Sequence, residues 1–85
     1  MDLSSSGVYV EYAAAAEPGR VLEMLFELPF EKDFQQVYVG AEVVRSVVIG
    51  ARNAYGIAFR FVSFARASDK VLSAYLALRE SRLMF

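Results

Sequence analysis

The residues best suited to binding chemistry lie in the first turn of the chain, Asp2-Leu3-Ser4-Ser5-Ser6-Gly7. The Asp2 carboxylate accepts hydrogen bonds, and the Ser4 hydroxyl both donates and accepts them. Gly7 has no side chain, so a ligand or another backbone segment can approach it closely. Two interpretations stay open: these side chains face outward and bind a ligand, or they fold back onto backbone amides and cap a hairpin.

The chain carries little that could support catalysis. It contains no cysteine and no histidine, which excludes thiolate chemistry, a histidine-based catalytic pair and a zinc site. Glu23 and Glu27 are four positions apart in a predicted strand, about 13 Å at the usual rise, which is too far for two carboxylates to act on one substrate atom. Glu31 and Asp33 fall in a charged turn. We therefore expect a binding protein rather than an enzyme, with no cofactor and no metal.

The composition restricts the class of partner. The 85 residues are 56% hydrophobic and carry a formal net charge of −1. A binder of DNA or RNA duplexes needs a basic stripe, so we expect no nucleic-acid target, whereas small anionic ligands stay open. No apolar run approaches the roughly 18 residues of a membrane span, and no secretory signal pattern is present, which predicts a cytoplasmic protein.

Alternation of apolar residues predicts four antiparallel strands in a single domain over residues 1–85. A glycine at position 40 is expected to mark a bend or bulge in the long third strand. The Pro18-Gly19 pair and residues 50–54 are predicted turns. The four strands lie near residues 7–12, 21–28, 36–48 and 56–62.

Near residues 68–84 the apolar residues recur with the spacing of a helix, and Ser68 is the expected N-cap. Its stripe is largely apolar, and it either closes one end of the sheet or forms a helix-helix dimer seam that continues into Met84-Phe85. The stripe consists of Leu72, Tyr75, Leu76, Arg79 and Leu83.

In their order along the chain, these features resemble PilZ domains, the bacterial receptors for cyclic di-GMP. The turn from Asp2 to Gly7 is similar to the family's D/N-x-S-x-x-G motif. The resemblance implies an antiparallel Greek-key β-barrel with a C-terminal helix beside it, and cyclic di-GMP as the ligand of Asp2, Ser4 and Gly7. The other matching segments are Gly7-Val8-Tyr9-Val10-Glu11, Pro18-Gly19, Glu27-Leu28-Pro29, Gly40-Ala41-Glu42-Val43-Val44-Arg45 and Tyr55-Gly56-Ile57-Ala58-Phe59-Arg60-Phe61.

One part of the family pattern has no counterpart in this sequence. PilZ domains carry an R-x-x-x-R loop and the first barrel strands before the Asp turn, and those arginines hold the phosphates and guanine edges. Here Met1 alone precedes Asp2, and no two of the seven arginines are four positions apart. Hydrogen bonds to charged groups contribute about 1.5–3 kcal/mol each, so losing two would weaken binding several hundredfold or more. The barrel itself is expected to be open or truncated.

Two functions are therefore predicted. The first is a cyclic di-GMP receptor or adaptor that binds through Asp2, Ser4 and Gly7 and signals to a protein partner. The second is a PilZ-like interaction or oligomerisation module that does not bind the dinucleotide. Open sheet edges predict a homo-oligomer or a bound partner, with the strand from Val8 to Tyr12 or the C-terminal helix at the contact. The absence of the arginine loop has another explanation: the natural chain is longer and carries the loop upstream of Met1. The first function is then expected.

Overall fold

The fold consists of one curled antiparallel sheet and one helix. The computed structural model describes residues 2–83, with side chains described as far as Arg79. The strand order across the sheet is β1-β2-β5-β4-β3, and every neighbouring pair is antiparallel. The expected open antiparallel barrel with a C-terminal helix is confirmed. Its elements are β1 (Asp2–Leu3), β2 (Gly7–Tyr12), β3 (Val21–Pro29), β4 (Phe34–Ile49), a 3-10 turn (Gly50–Arg52), β5 (Ala54–Ala65) and α1 (Ser68–Leu83).

The first turn is tighter than the sequence predicts. Asp2 and Leu3 form the short strand β1, which pairs with Tyr9 and Val8 of β2. The turn shrinks to the three serines because the Ser4 amide donates a hydrogen bond of 2.9 Å to the Gly7 carbonyl. The described sheet therefore has five strands where four were predicted, and the predicted recognition turn begins on a strand.

The longest strand, β4, is curved by two register shifts against β5. One lies between Gly40 and Ala41, near the predicted bend or bulge, but its extra residue is Val62 of β5. The other lies between Val43 and Arg45, and its extra residue is Val44 of β4. An extra residue on one strand of an antiparallel pair bends that strand and increases its twist. These two shifts let the sheet curl around its apolar face.

The core lies on the concave face of the curled sheet. Alternate residues of β4 point into it, and α1 covers it at one end through Leu72, which is only 2% exposed. Tyr75 and Leu76 of the predicted helical stripe pack against the same cluster. The helix thus closes the sheet, as one of the two predictions stated. The buried apolar residues are Val8, Leu28, Val37, Val39, Ala41, Val43, Ile57, Phe59, Phe61 and Leu72.

The predicted N-cap at Ser68 is wrong. Ser68 is the first helical residue, and the carbonyl of Ala67 accepts the hydrogen bond from the Val71 amide at 3.3 Å. Arg66 and Ala67 both have positive φ, at 57° and 58°, and this sharp turn brings Ser68 back over β4. Ser68 is only 1% exposed there. Its hydroxyl oxygen accepts a hydrogen bond from the Tyr38 amide, with 2.8 Å between the nitrogen and the oxygen. Ser68 therefore joins the helix to the sheet.

Parts of the helix prediction fall outside the described residues. These are its end at residue 84 and the part of the predicted dimer seam that runs through the side chains of Leu83, Met84 and Phe85. Within the part of the chain that the structure describes, no helix is long and apolar enough to cross a membrane.

Replacing Ser68 by alanine should destabilise the domain by about 1–3 kcal/mol, because the Tyr38 amide would lose its partner in a part-buried position. Ser73→Ala is the matched control, since Ser73 is exposed on the same helix and should change stability by less than about 0.5 kcal/mol. Urea unfolding followed by circular dichroism measures both. Equal midpoints for the two variants would contradict the role given to Ser68.

Gly7→Ala should also destabilise the fold, because an added Cβ would overlap the Phe59 carbonyl oxygen in the neighbouring strand. Overpacking of this kind typically costs about 1–3 kcal/mol. At Gly50 an added Cβ meets no heavy atom within 4 Å, so Gly50→Ala should leave the unfolding midpoint unchanged or raise it slightly. If the two variants unfold at the same urea concentration, β2 and β5 do not approach as closely as described.

Candidate ligand-binding site

The side chain of Ser4 folds back into its own turn. Its Oγ lies 3.3 Å from the Ser6 amide and 3.2 Å from the Gly7 amide, and it accepts a hydrogen bond from each. The same hydroxyl lies 3.2 Å from the Ser6 hydroxyl and 3.3 Å from the Gly7 carbonyl, to which it donates. Of the two interpretations of this turn, the inward one describes Ser4, which shapes the loop. Its contact with a ligand stays a prediction.

Gly7 permits the close approach of another backbone. Its neighbour is the Phe59 carbonyl of β5, so a side chain at position 7 would not fit. The Phe61 amide also donates to the Ser6 carbonyl at 2.8 Å. Together these contacts fasten the turn against β5, which gives it a defined position at the sheet surface.

Asp2 is the residue of the motif that faces outward. It is exposed, and no hydrogen bond or ion pair to its carboxylate occurs among the described residues. It stands directly opposite Tyr9 in the β1–β2 register. Its carboxylate is therefore available to accept hydrogen bonds from a ligand.

A surface groove of about 550 Å³ runs beside the turn. This volume lies within the range of roughly 300–1,000 Å³ that is usual for small-molecule sites. Asp2, Ser4 and Gly7 all line it, so the structure brings the three predicted site residues together. Three arginines from three different elements also line the groove. They are Arg45 of β4, Arg60 of β5 and Arg79 of α1.

The register of the sheet explains why Asp2 and Arg45 line one groove. Asp2 is opposite Tyr9, Tyr9 is opposite Ala58, and Ala58 is opposite Arg45. Residues in direct register share a face of the sheet, so this row runs across four strands, or about 14 Å at the usual strand spacing. The row has an acidic group at one end and a basic group at the other.

Small residues in the middle of the row from Asp2 to Arg45 leave room above the sheet. Ala58 lies within the row, and Gly56 lies beneath the Tyr9 side chain, where an added Cβ would overlap the tyrosine hydroxyl. The half-buried Tyr9 ring thus lies along β5 and forms part of the groove wall.

The three arginines differ in their present partners. Arg60 forms an ion pair with Glu42, its neighbour across β4 and β5. Arg45 is exposed and has no ion pair among the described side chains. Arg79 is also exposed, and its guanidinium lies 5.8 Å from the centroid of the Tyr75 ring. Two guanidinium groups of the groove are therefore without a described carboxylate partner.

The R-x-x-x-R spacing does not identify these arginines. They are 15 and 19 positions apart along the chain, and only the sheet and helix packing brings them together. Strict alternation along β4 would also have placed Arg45 on the same face as Val43, which is buried. The register shift at Val44 reverses that assignment.

The groove is equipped for binding. Guanidinium groups donate paired hydrogen bonds to phosphates, and a carboxylate accepts the N–H groups of a guanine edge. Within the described part of the chain, no group of three acidic side chains could hold a metal ion. The arrangement suits a ligand that combines phosphate with a hydrogen-bonding base.

A structural comparison supports the fold. The structure of the Bacillus subtilis inhibitor of motility, MotI/DgrA, matches with a TM-score of 0.83 over 98% of this chain at 20% sequence identity. The chain spans 41% of the length of that protein. No curated protein matches the chain in sequence.

The family is shown by the sequence comparison. The model of the PilZ domain matches residues 1–78, which is most of the chain and includes the turn, the groove face of the sheet and most of the helix. PilZ domains are binding and adaptor domains for cyclic di-GMP. The chain belongs to the PilZ domain family.

Proposed function

We propose that this chain is a cyclic di-GMP receptor domain that binds the dinucleotide in the groove beside Asp2 and signals to a protein partner. The observation that carries the proposal is the exposed Asp2 carboxylate, which lies at the end of a groove of suitable size and within the family's D-x-S-x-x-G motif. Membership of the PilZ family supports the class of ligand.

In this proposal the three motif residues have different tasks. The Asp2 carboxylate accepts hydrogen bonds from the N1 and N2 groups of a guanine. Ser4 holds the turn in shape through the Ser6 and Gly7 amides, and Gly7 lets the turn lie against β5. Ser4 and Gly7 thus present Asp2 to the ligand, and the direct contact comes mainly from the carboxylate.

The second part of the proposal is that ligand binding is signalled to a protein partner. The similar solved protein is named an inhibitor of motility. The ligand groove here borders both the first turn and α1, through Leu3, Ser4 and Arg79. A ligand in the groove would contact the first turn and α1 at once. It could therefore alter a surface to which a protein partner binds.

Calorimetric titration with cyclic di-GMP tests the ligand. We expect micromolar or tighter binding by this chain and a loss of at least tenfold in Asp2→Ala, since a charge-assisted hydrogen bond contributes about 1.5–3 kcal/mol. Asp33→Ala is the matched control, because Asp33 is an exposed aspartate in the turn between β3 and β4 and lies outside the groove. It should bind as tightly as the parent chain.

An absence of heat at high ligand concentration would refute the receptor proposal. Equal affinity of Asp2→Ala and the parent chain would instead show that the dinucleotide binds without the carboxylate. Unfolding midpoints of the two variants establish that both are folded.

A second candidate function, assembly through the sheet edge, is favoured by one feature of β2. Strand β1 pairs only with Val8 and Tyr9, so the outer edge of β2 from Val10 to Tyr12 has no strand partner among the described residues. Tyr12 is 64% exposed at that edge. An open edge with exposed apolar side chains is a template for pairing with another chain, and we propose a second copy of this chain as its partner.

Light scattering after size-exclusion chromatography tests this assembly. We expect dimers at high protein concentration, and at least tenfold weaker dimerisation in Tyr12→Lys, because a lysine opposes edge pairing. Phe34→Lys is the control, since Phe34 is similarly exposed, at 67%, at the start of β4. A monomer at every concentration would contradict the proposal.

A further inference from the structure

The groove beside Asp2 contains positive charge that the described part of the chain does not neutralise. Arg45 and Arg79 both line it, and neither forms an ion pair with a described side chain. We infer that these two arginines hold the phosphates of the dinucleotide, in a cationic half-site assembled from β4 and α1. This inference rests on the proposed function, and it assigns residues outside the D-x-S-x-x-G motif.

Arg45 owes its position to the irregular pairing of β4. Val44 is the extra residue at the second register shift, and it is 55% exposed. The shift places Arg45 opposite Ala58, in the row that ends at Asp2. Ala58, the neighbour of Arg45 in this row, is small, and the side chain of the next residue, Tyr9, lies over Gly56.

Arg79 approaches the groove from the helix. It borders the groove beside Asp2 and also a second groove, which it shares with Leu3 and Ser4 of the first turn. Its guanidinium stacks near the ring of Tyr75, one helical turn earlier, at 5.8 Å. Contact with an aromatic face restricts the long side chain, so less conformational entropy is lost when it binds an anion.

The third arginine of the groove has a different role. Arg60 is engaged by Glu42 across the strand pair, and its position opposite Gly7 places this ion pair next to the turn. A ligand phosphate would have to compete with a carboxylate for Arg60, whereas Arg45 and Arg79 are available. Two available guanidinium groups match the two singly charged phosphates of a cyclic dinucleotide.

The distribution of charge fits the same ligand. A guanine edge presents N–H donors to the Asp2 carboxylate, and phosphate oxygens present acceptors to the arginines. One groove thus offers an acceptor for the base and donors for the phosphates. This arrangement requires no two arginines that are close in sequence.

Titration of cyclic di-GMP into Arg45→Gln and Arg79→Gln tests the inference. Each variant should bind at least tenfold more weakly than the parent chain, and raising the salt concentration should weaken the parent more than either variant. Arg66→Gln is the matched control, because Arg66 is an exposed arginine that also lies over a tyrosine, 4.5 Å from the Tyr38 centroid, but outside this groove. It should bind as the parent does.

Side-chain NMR of the arginine Nε–H groups provides a direct readout. On addition of cyclic di-GMP to the parent chain, the signals of Arg45 and Arg79 should shift, and that of Arg66 should stay in place. If the parent binds and both glutamine variants bind equally well, the inference fails and the receptor function stands. If the parent does not bind at all, the receptor function fails and the inference fails with it.

Discussion

The long antiparallel pairing of β4 with β5 is the constraint on which the rest of this structure depends. The pair spans Tyr38 to Ile49 on one strand and Ala54 to Ala65 on the other, and two register shifts bend it. The curvature makes one face concave. Three valines of β4 fill that face together with three residues of β5, namely Val37, Val39, Val43, Ile57, Phe59 and Phe61. Without the bend, a flat sheet of this length would leave its apolar face uncovered by a single helix.

The same pairing places the candidate site. β5 is the central strand of the sheet, so it carries β2 on one side and β4 on the other. Backbone contacts at Phe59 and Phe61 hold the first turn against β5, while the shift at Val44 turns Arg45 toward the same outer face. The irregularity that curls the core therefore also assembles the groove. Core and site are two faces of one strand pair.

The motif residues have unequal roles in this arrangement. Ser4 and Gly7 are engaged within the turn and with β5, so much of the motif serves to shape and fasten the loop. Asp2 alone of the three presents an unpaired polar group to the groove among the described contacts. A short motif of this kind can thus combine one exposed polar residue with two residues that shape the loop.

The sequence by itself determined the local features of this protein. Alternation identified four of the five described strands, and the Pro18-Gly19 pair predicted a turn in which Gly19 has a φ of 92°. The glycine at position 40 marks a register shift, although the extra residue there lies on β5. These features depend on neighbouring residues and on the period of side-chain orientation, which a sequence displays directly. The ordered set of motifs also identified the PilZ family, which the match over residues 1–78 confirms.

Tertiary structure alone decided which charges meet. Strict alternation would have put Arg45 in the core, and only the bulge at Val44 brings it to the groove. Arg79 reaches the same groove because the positive-φ turn at Arg66 and Ala67 sends α1 back over the sheet, where Ser68 bonds to β4 instead of capping its own helix. Register shifts and chain reversals couple residues that are distant along the chain, and no local spacing records them. The sequence contains each of these arginines, but only the tertiary structure shows that they line one groove.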